Sequence, residues 1–225
     1  MTTQDDVAVI TMDDGKVNVF SHTSIDLFNE ALDVAEAEAG AVLVVGREGK
    51  FSAGFDLSVM SASEEERDAL VRKGGELMMR IYGFGAPVVA ACTGHALAAG
   101  AIMLMACDTR FGADTESAKI GMNEVNIGMS LPTFATVLAR ERLSKRHITQ
   151  AAALGQIYNP AAAETVGYLD HVVPASQLME TALAHAQSLA QYCRKGAVRG
   201  TKRNLRGAVI DEVLAGLDDE RNKLS

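Results

Sequence analysis

The sequence predicts an α/β fold in which strands alternate with helices and a helical C-terminal third follows. Three observations carry this. Strand-like and helix-like segments alternate from the N-terminus to about residue 131. Two runs in that part, AVLVVG (41–46) and VVAAC (88–92), are apolar throughout yet only strand-length, the pattern of strands covered on both faces. Beyond Pro132 the apolar spacing is helical almost to the end.

The elements follow in order. VAVITM (7–12) reads as a strand closed by the turn Asp13-Asp14-Gly15. Ile25, Leu27, Phe28, Ala31, Leu32 and Ala35 recur at helical spacing, so 23–39 reads as a helix stopped by Gly40. The strand 41–46 leads into a glycine-punctuated loop, Arg47 to Phe55. Ser63 and Glu66 have capping-box spacing and open a helix running to about Tyr82. Pro87 ends the connection to the strand 88–92, and Thr93 to Ala99 turns into a short apolar helix, 100–106. Short strands are expected over 107–113 and 118–121, then helices over 133–142, 145–154, 160–167, 175–192 and 197–217, interrupted by the strand-like His171–Val173. No internal repeat or linker divides the chain. One domain, 1–225, is expected, with an α/β core and flanking helices to about 190 and a helical extension over 191–225.

Composition narrows the function. No apolar run reaches the ~18 residues of a membrane span, and the acidic start MTTQDD lacks a signal-peptide layout, so a soluble cytoplasmic protein is expected. Cys92, Cys107 and Cys193 are odd in number and lack CxxC spacing, which fits neither a disulfide framework nor zinc; the first two sit in apolar runs as small hydrophobes. A net charge of −8 disfavours nucleic acid. Any polyanionic ligand would need local cations or backbone N–H groups. Lys16, the Arg47/Lys50 pair and the cluster Arg199, Lys202, Arg203 and Arg206 are the candidates, though such patches are more often solvated faces.

Several chemistries drop out. GREGK (46–50) lacks phosphate-loop spacing, no GxGxxG follows a strand, and GxSxG, HExxH and EF-hand patterns are absent. His22, His95, His147, His171 and His185 show no ligand spacing. Chemistry without metal or organic cofactor is the expectation.

Two turns rich in small residues follow the buried strands: Phe51-Ser52-Ala53-Gly54-Phe55-Asp56-Leu57, and Thr93 to Gly100. Small residues let a ligand approach the backbone, and a helix start offers unpaired N–H groups. Two such groups converging would form an oxyanion hole. Tight turns made small for packing alone fit the spacing as well.

The blocks FSAGFDL, TGHALAAGAIMLMACDTRFGA and IGMNEVNIGMSLP resemble, in order and separation, the signatures of the enoyl-CoA hydratase/isomerase (crotonase) superfamily, and AAALGQIYNPAAAETVGYLDHVVP extends the likeness. The resemblance implies a spiral of β-β-α units with a helical C-terminal region. It implies an acyl-CoA thioester substrate from fatty-acid metabolism, CoA being part of the substrate, and an oxyanion hole made by the backbone N–H groups of Phe55 and Ala99. Glu124 would be the acid/base and Ala53 a backbone contact to CoA; of the basic candidates above, Lys16 is taken as a substrate-binding residue. Hydratases of the family have a second glutamate, which falls on Ile102, here an acyl-pocket wall at most. The pattern is therefore closest to the single-glutamate Δ3,Δ2-enoyl-CoA isomerases. A hydratase, or a CoA-thioester-binding protein without catalysis, are the alternatives. The family also implies a trimer or a hexamer, with apolar positions on 145–154 and 175–192 as support, and the chain stops about one helix earlier than is usual. His95, Asp56 and Asp108 read as structural, and the methionines of 77–79 and 101–105 as core, with Met103 or Met105 near the acyl pocket.

Overall fold

The computed structural model describes residues 1–217, and it winds as four successive β-β-α turns. A short leading strand, β1 (Thr2–Gln4), precedes them. The first turn is β2 (Val7–Thr11), β3 (Val19–Phe20) and α1 (His22–Glu38). The second is β4 (Ala41–Val45), β5 (Gly49–Ser52) with β6 (Gly54–Phe55), the single-turn α2 (Leu57–Met60), and α3 (Glu64–Tyr82). The third is β7 (Val88–Cys92), β8 (Gly94–Leu97) and α4 (Ala99–Ala106). The fourth is β9 (Thr109–Asp114), β10 (Ile120–Gly121), a 3₁₀ turn over Glu124–Ile127, and α5 (Thr133–Arg142). The chain closes with α6 (Pro160–Val166), β11 (His171–Pro174), α7 (Leu178–Tyr192) and α8 (Lys195–Ala215).

Each turn sends its first strand to one sheet and its second to another. The large sheet has the order β1-β2-β4-β7-β9-β11, parallel except for the β1–β2 pair. The second strands form the small parallel sheet β10-β8-β5 and the pair β3-β6. The alternation of side chains in the large sheet divides the core. Ala8, Ile10, Val42, Val44, Val88 and Ala90 face α1, α3 and α4, whereas Val7, Val9, Leu43, Val45, Val89 and Ala91 lie under Leu178, Ala182 and Ala186 of α7. Coverage on both faces is why β4 and β7 are uniformly apolar.

Local expectations were met unevenly. Ser63 accepts from the Glu66 N–H at 3.1 Å, but the Glu66 carboxylate turns to His22, 3.7 Å away, so only half of a capping box forms. Residues 145–154 hold no α-helix. A single π turn, Thr149–Ala153, is closed by Leu154 N donating to Thr149 O, and Gly155 at φ +61 follows. The loop 47–55 contains β5 and β6, too short for a period of two to show. The buried apolar positions of α7 pack against the large sheet, while Met179 and Tyr192 on the same helix stay exposed.

Three members of the C-terminal basic cluster are tied to other parts of the fold, while Arg203 stays exposed. Lys202 is 8% exposed and donates to Phe84 O, Ala86 O and the Asp108 carboxylate. Arg206 donates to Tyr82 O and Asp108 and stacks on the Tyr82 ring at 4.4 Å, while Arg199 pairs with Glu36. Asp108 also accepts from Val88 N at 2.8 Å. One carboxylate at the mouth of β9 thus anchors α8 to the sheet, and the extension is continuous with the core. Residues 218–225 of that extension lie outside the described residues.

Replacing Asp108 by Ala removes the counterion of a buried ammonium, a loss that typically costs about 3–5 kcal/mol. Urea unfolding of Asp108→Ala should show a destabilisation of that size with an unchanged m-value; a change under 1 kcal/mol would remove the anchor from the account.

Candidate active site

The ends of the second strands of three successive turns come together. Phe55 ends β6, Ala99 follows β8, and Glu124 follows β10. Their relation is set by backbone. Gly54 has φ +95, and a Cβ there would lie 2.8 Å from Ala98 Cβ and 3.2 Å from Ala99 N. A Cβ on Gly100 would lie 2.5 Å from Ser52 O. The two small-residue turns are therefore in direct contact, and only glycine permits the approach.

Each turn presents an N–H at this contact. β3 and β6 pair in parallel with Phe20 opposite Phe55, and Asp56 N donates to Phe20 O. Because alternate N–H groups along a strand point to opposite sides, that of Phe55 points away from β3. Ala99 is the first residue of α4, whose N-cap, Ala98, makes no side-chain bond, so its N–H has no intrahelical acceptor. Ala98 itself holds φ +50, a strained conformation for a residue with a Cβ. Ala98 N donates to Gly121 O at 3.0 Å, and Ala98 O accepts from Ala101 N and Ile102 N. These bonds hold the strained corner.

The bond from Ala98 to Gly121, with the β8–β10 pairing, ties this corner to the strand that precedes Glu124. Glu124 opens its 3₁₀ turn, and Gly128 in the left-handed region ends it. The side chain is 8% exposed and its Oε2 has no hydrogen-bond partner. Burial pushes its pKa up to about 7, against the pull of its own backbone N–H.

Two tyrosines that the sequence reading did not single out stand behind it. Tyr168 is wholly buried, its hydroxyl 3.5 Å from Ala151 O of the π turn. Burial raises its pKa, the Met122 N–H opposes this, and Tyr158 and the Glu124 carboxylate raise it further. The Tyr158 hydroxyl is buried without a partner. A hydroxyl-bearing aromatic within otherwise apolar stretches, IYNP and GYLD, was the available signal.

The other candidates fall as follows. Ala53 is exposed and its N–H is committed to Val17 O, so its carbonyl is what it can turn to a ligand. Lys16, on the adjoining turn, is exposed and its charge reaches Asp56. Arg47 staples the same turn, donating to Lys16 O and lying 3.4 Å from Asp13. Ile102 has no exposed surface and packs in the main core with Met103 and Met105. Asp56 caps α2 through Ser58, and His95 Nδ1 accepts from Lys119 N, both structural as expected. Cys92 and Cys107 are fully buried, and burial pushes both thiols up to about 12. Among the described residues no helix is long and apolar enough to cross a membrane.

The sequence profile described as enoyl-CoA hydratase/isomerase matches residues 2–224. A crystal structure of an enoyl-CoA hydratase/isomerase family protein from Pseudomonas syringae is 35% identical, with a TM-score of 0.95 over 100% of this chain and 96% of that one. Human mitochondrial enoyl-CoA delta isomerase 1 is 32% identical over 190 residues, covering 83% of this chain and 62% of the human one, so the chain spans about three-fifths of that relative. A Mycobacterium tuberculosis protein, 33% identical with a TM-score of 0.90, is described in one crystal structure as an enoyl-CoA isomerase and in another as a probable enoyl-CoA hydratase. The matches cover 96% of this chain and 94% and 92% of those two.

The raised pKa of Glu124 makes a stability prediction with a definite sign. The folded protein holds the proton to about pH 7, whereas the unfolded chain releases it near pH 4.5. Stability should therefore be lost as pH rises through that window, by up to about 3 kcal/mol at 1.36 kcal/mol per unit. Glu124→Gln removes the titration. The stability of the variant relative to wild type should be about 2–3 kcal/mol more favourable at pH 8 than at pH 4; a pH-independent difference in urea unfolding would show that Glu124 ionises freely.

Proposed function

The chain belongs to the enoyl-CoA hydratase/isomerase family, and on that premise we propose that it is an enoyl-CoA isomerase that moves a C3 double bond of an acyl-CoA thioester to C2. What supports this reading is one buried carboxylate, Glu124, three residues beyond the strand bonded to the Ala98 corner, with Ile102 at the sequence position where hydratases of the family carry a second glutamate.

The chemistry follows from those parts. The thioester oxygen sits between the N–H groups of Phe55 and Ala99. Glu124 takes a proton from C2, and the electron pair moves through C1 onto that oxygen as a dienolate. The two N–H groups stabilise the charge as it develops, each worth about 2.7–4 kcal/mol in comparable sites. The charge then returns to rebuild the carbonyl, the C2–C3 double bond forms, and the protonated Glu124 delivers its proton to C4. A carboxyl whose pKa lies near 7 suits both halves, since it takes and returns one proton near neutral pH. Water addition would instead need a second group to orient the water, and Ile102 offers none.

Hydration is the second reading, favoured by the double description of the Mycobacterium tuberculosis relative. We further propose a homotrimer or a pair of trimers as the assembly; a monomer mass in light scattering at micromolar concentration would reject it.

Purified protein should turn over 3-hexenoyl-CoA with a higher kcat/KM than it hydrates crotonyl-CoA, and the reverse order would overturn the isomerase reading in favour of hydration. The rate should rise with pH through about 7 and then level, because the ionised form of Glu124 is the base. Glu124→Gln should bind octanoyl-CoA as wild type does while C2 exchange with deuterated water falls roughly 10²–10⁴-fold. Exchange retained in the variant would mean another base; binding without exchange in the wild type would mean a binding protein.

A further inference from the structure

Midway along α3 stand two adjacent buried glycines, Gly74 and Gly75, in a helix of 19 residues. Glycine weakens a helix interior, so each position needs a reason. The two reasons differ. A Cβ on Gly75 would meet Leu217 Cδ2 and Phe134 Cδ1, both at 2.8 Å, so this glycine serves the packing of α3 against α5 and the end of α8. A Cβ on Gly74 would meet Phe55 alone, at 2.4 Å from both Cε1 and Cζ.

The Phe55 ring is half-buried and is backed on one side. It meets the buried Phe20 ring edge-on, with centroids 6.3 Å apart and an interplanar angle of 68°. Phe20 lies directly opposite Phe55 in the β3–β6 ladder, so both backbone and ring are held from that side. In the chain the neighbouring Gly54 approaches the second turn so closely that a Cβ on it would lie 3.1 Å from Leu97 O and 3.2 Å from Ala99 N. Pressure on the ring that is passed into β6 would change the spacing of the Phe55 and Ala99 N–H groups.

We infer that Gly74 is a positioning residue: its missing side chain seats the Phe55 ring, and through it fixes the backbone N–H of Phe55 relative to that of Ala99. Gly74 touches no substrate in this account and acts only through Phe55. The inference rests on the oxyanion-hole reading proposed above, and it adds a determinant from a helix that none of the three signature blocks contains.

Gly75→Ala is the matched control, because it places a similar clash one residue away on different partners. The probe is octanoyl-CoA labelled with ¹³C at C1. Its carbonyl stretch is read by difference infrared spectroscopy, alongside Kd, melting temperature and kcat for 3-hexenoyl-CoA. In the wild type the stretch should fall to lower frequency on binding. Gly74→Ala should lose most of that shift and about 10–100-fold in kcat, with Kd within threefold. Gly75→Ala should lower the melting temperature but keep the shift and kcat within threefold.

Phe55→Leu removes the two ring atoms that a methyl at position 74 would strike. Adding Gly74→Ala to Phe55→Leu should then change kcat less than threefold, and this comparison stands even if Gly74→Ala alone does not fold. A further tenfold loss in the double variant, equal losses in Gly74→Ala and Gly75→Ala, or a carbonyl shift unchanged in Gly74→Ala would each overturn the inference alone. No shift in the wild type would overturn the oxyanion reading, and the inference with it.

Discussion

The contact between the turn around Gly54 and the turn around Gly100 governs the rest of this molecule. Two segments 46 residues apart in sequence, counted from Gly54 to Gly100, meet there with only small side chains between them. The parallel β5–β8–β10 ladder brings them together, and a strained Ala98 is the local cost. The ladder takes one strand from each of the last three windings, and each of these supplies one candidate element: Phe55 shortly after β5, Ala99 after β8 and Glu124 after β10. A β-β-α spiral thus repeats its geometry, and the site is read along the repeat axis.

Burial of Glu124 is the second constraint. Glu124 lies three residues beyond β10 and is buried, with the wholly buried Met122 between them. A carboxylate there is costly when charged, and the pKa near 7 is the expression of that cost. Stability and proton chemistry are therefore in opposition at this residue. The wholly buried Tyr168 and the unpartnered Tyr158 hydroxyl show that the polar demands of this region are only partly met within the fold.

Charge is distributed in the same economical way. With a net −8 the protein has few cations to spare, and Lys202, Arg206 and Arg199 are drawn into carboxylates and carbonyls that hold α8 in place. Arg110 is similarly enclosed, paired with Asp170 and bonded to Gly167 O, which joins β9 to the start of β11. Lys16 remains exposed beside Ala53. Lys202 and Arg206 of the C-terminal sequence are structural, whereas Arg203, like Lys16, stays exposed.

Much of this was legible in the sequence for physical reasons that are local. Continuous apolar runs announced β4 and β7 because strands covered on both faces need no polar alternation, and helical spacing announced α1, α3, α7 and α8 within a few residues. Small-residue turns marked where backbone approaches backbone, and the motif blocks placed Glu124 among the candidates. What the sequence could not carry was non-local. The strands β3, β6 and β10 have two residues each and exist only through their partners. The π turn at 149–153 replaced a helix because Gly155 and its neighbours close differently in space than their spacing suggests. Lys202 became an anchor, and Ile102 a core residue, only once α8 and α4 were packed. Gly74 and Gly75 look alike in sequence, and only the tertiary structure distinguishes them. The reason is general: periodicity records which side of an element is apolar, while the partner that meets that side is chosen by packing across the whole chain.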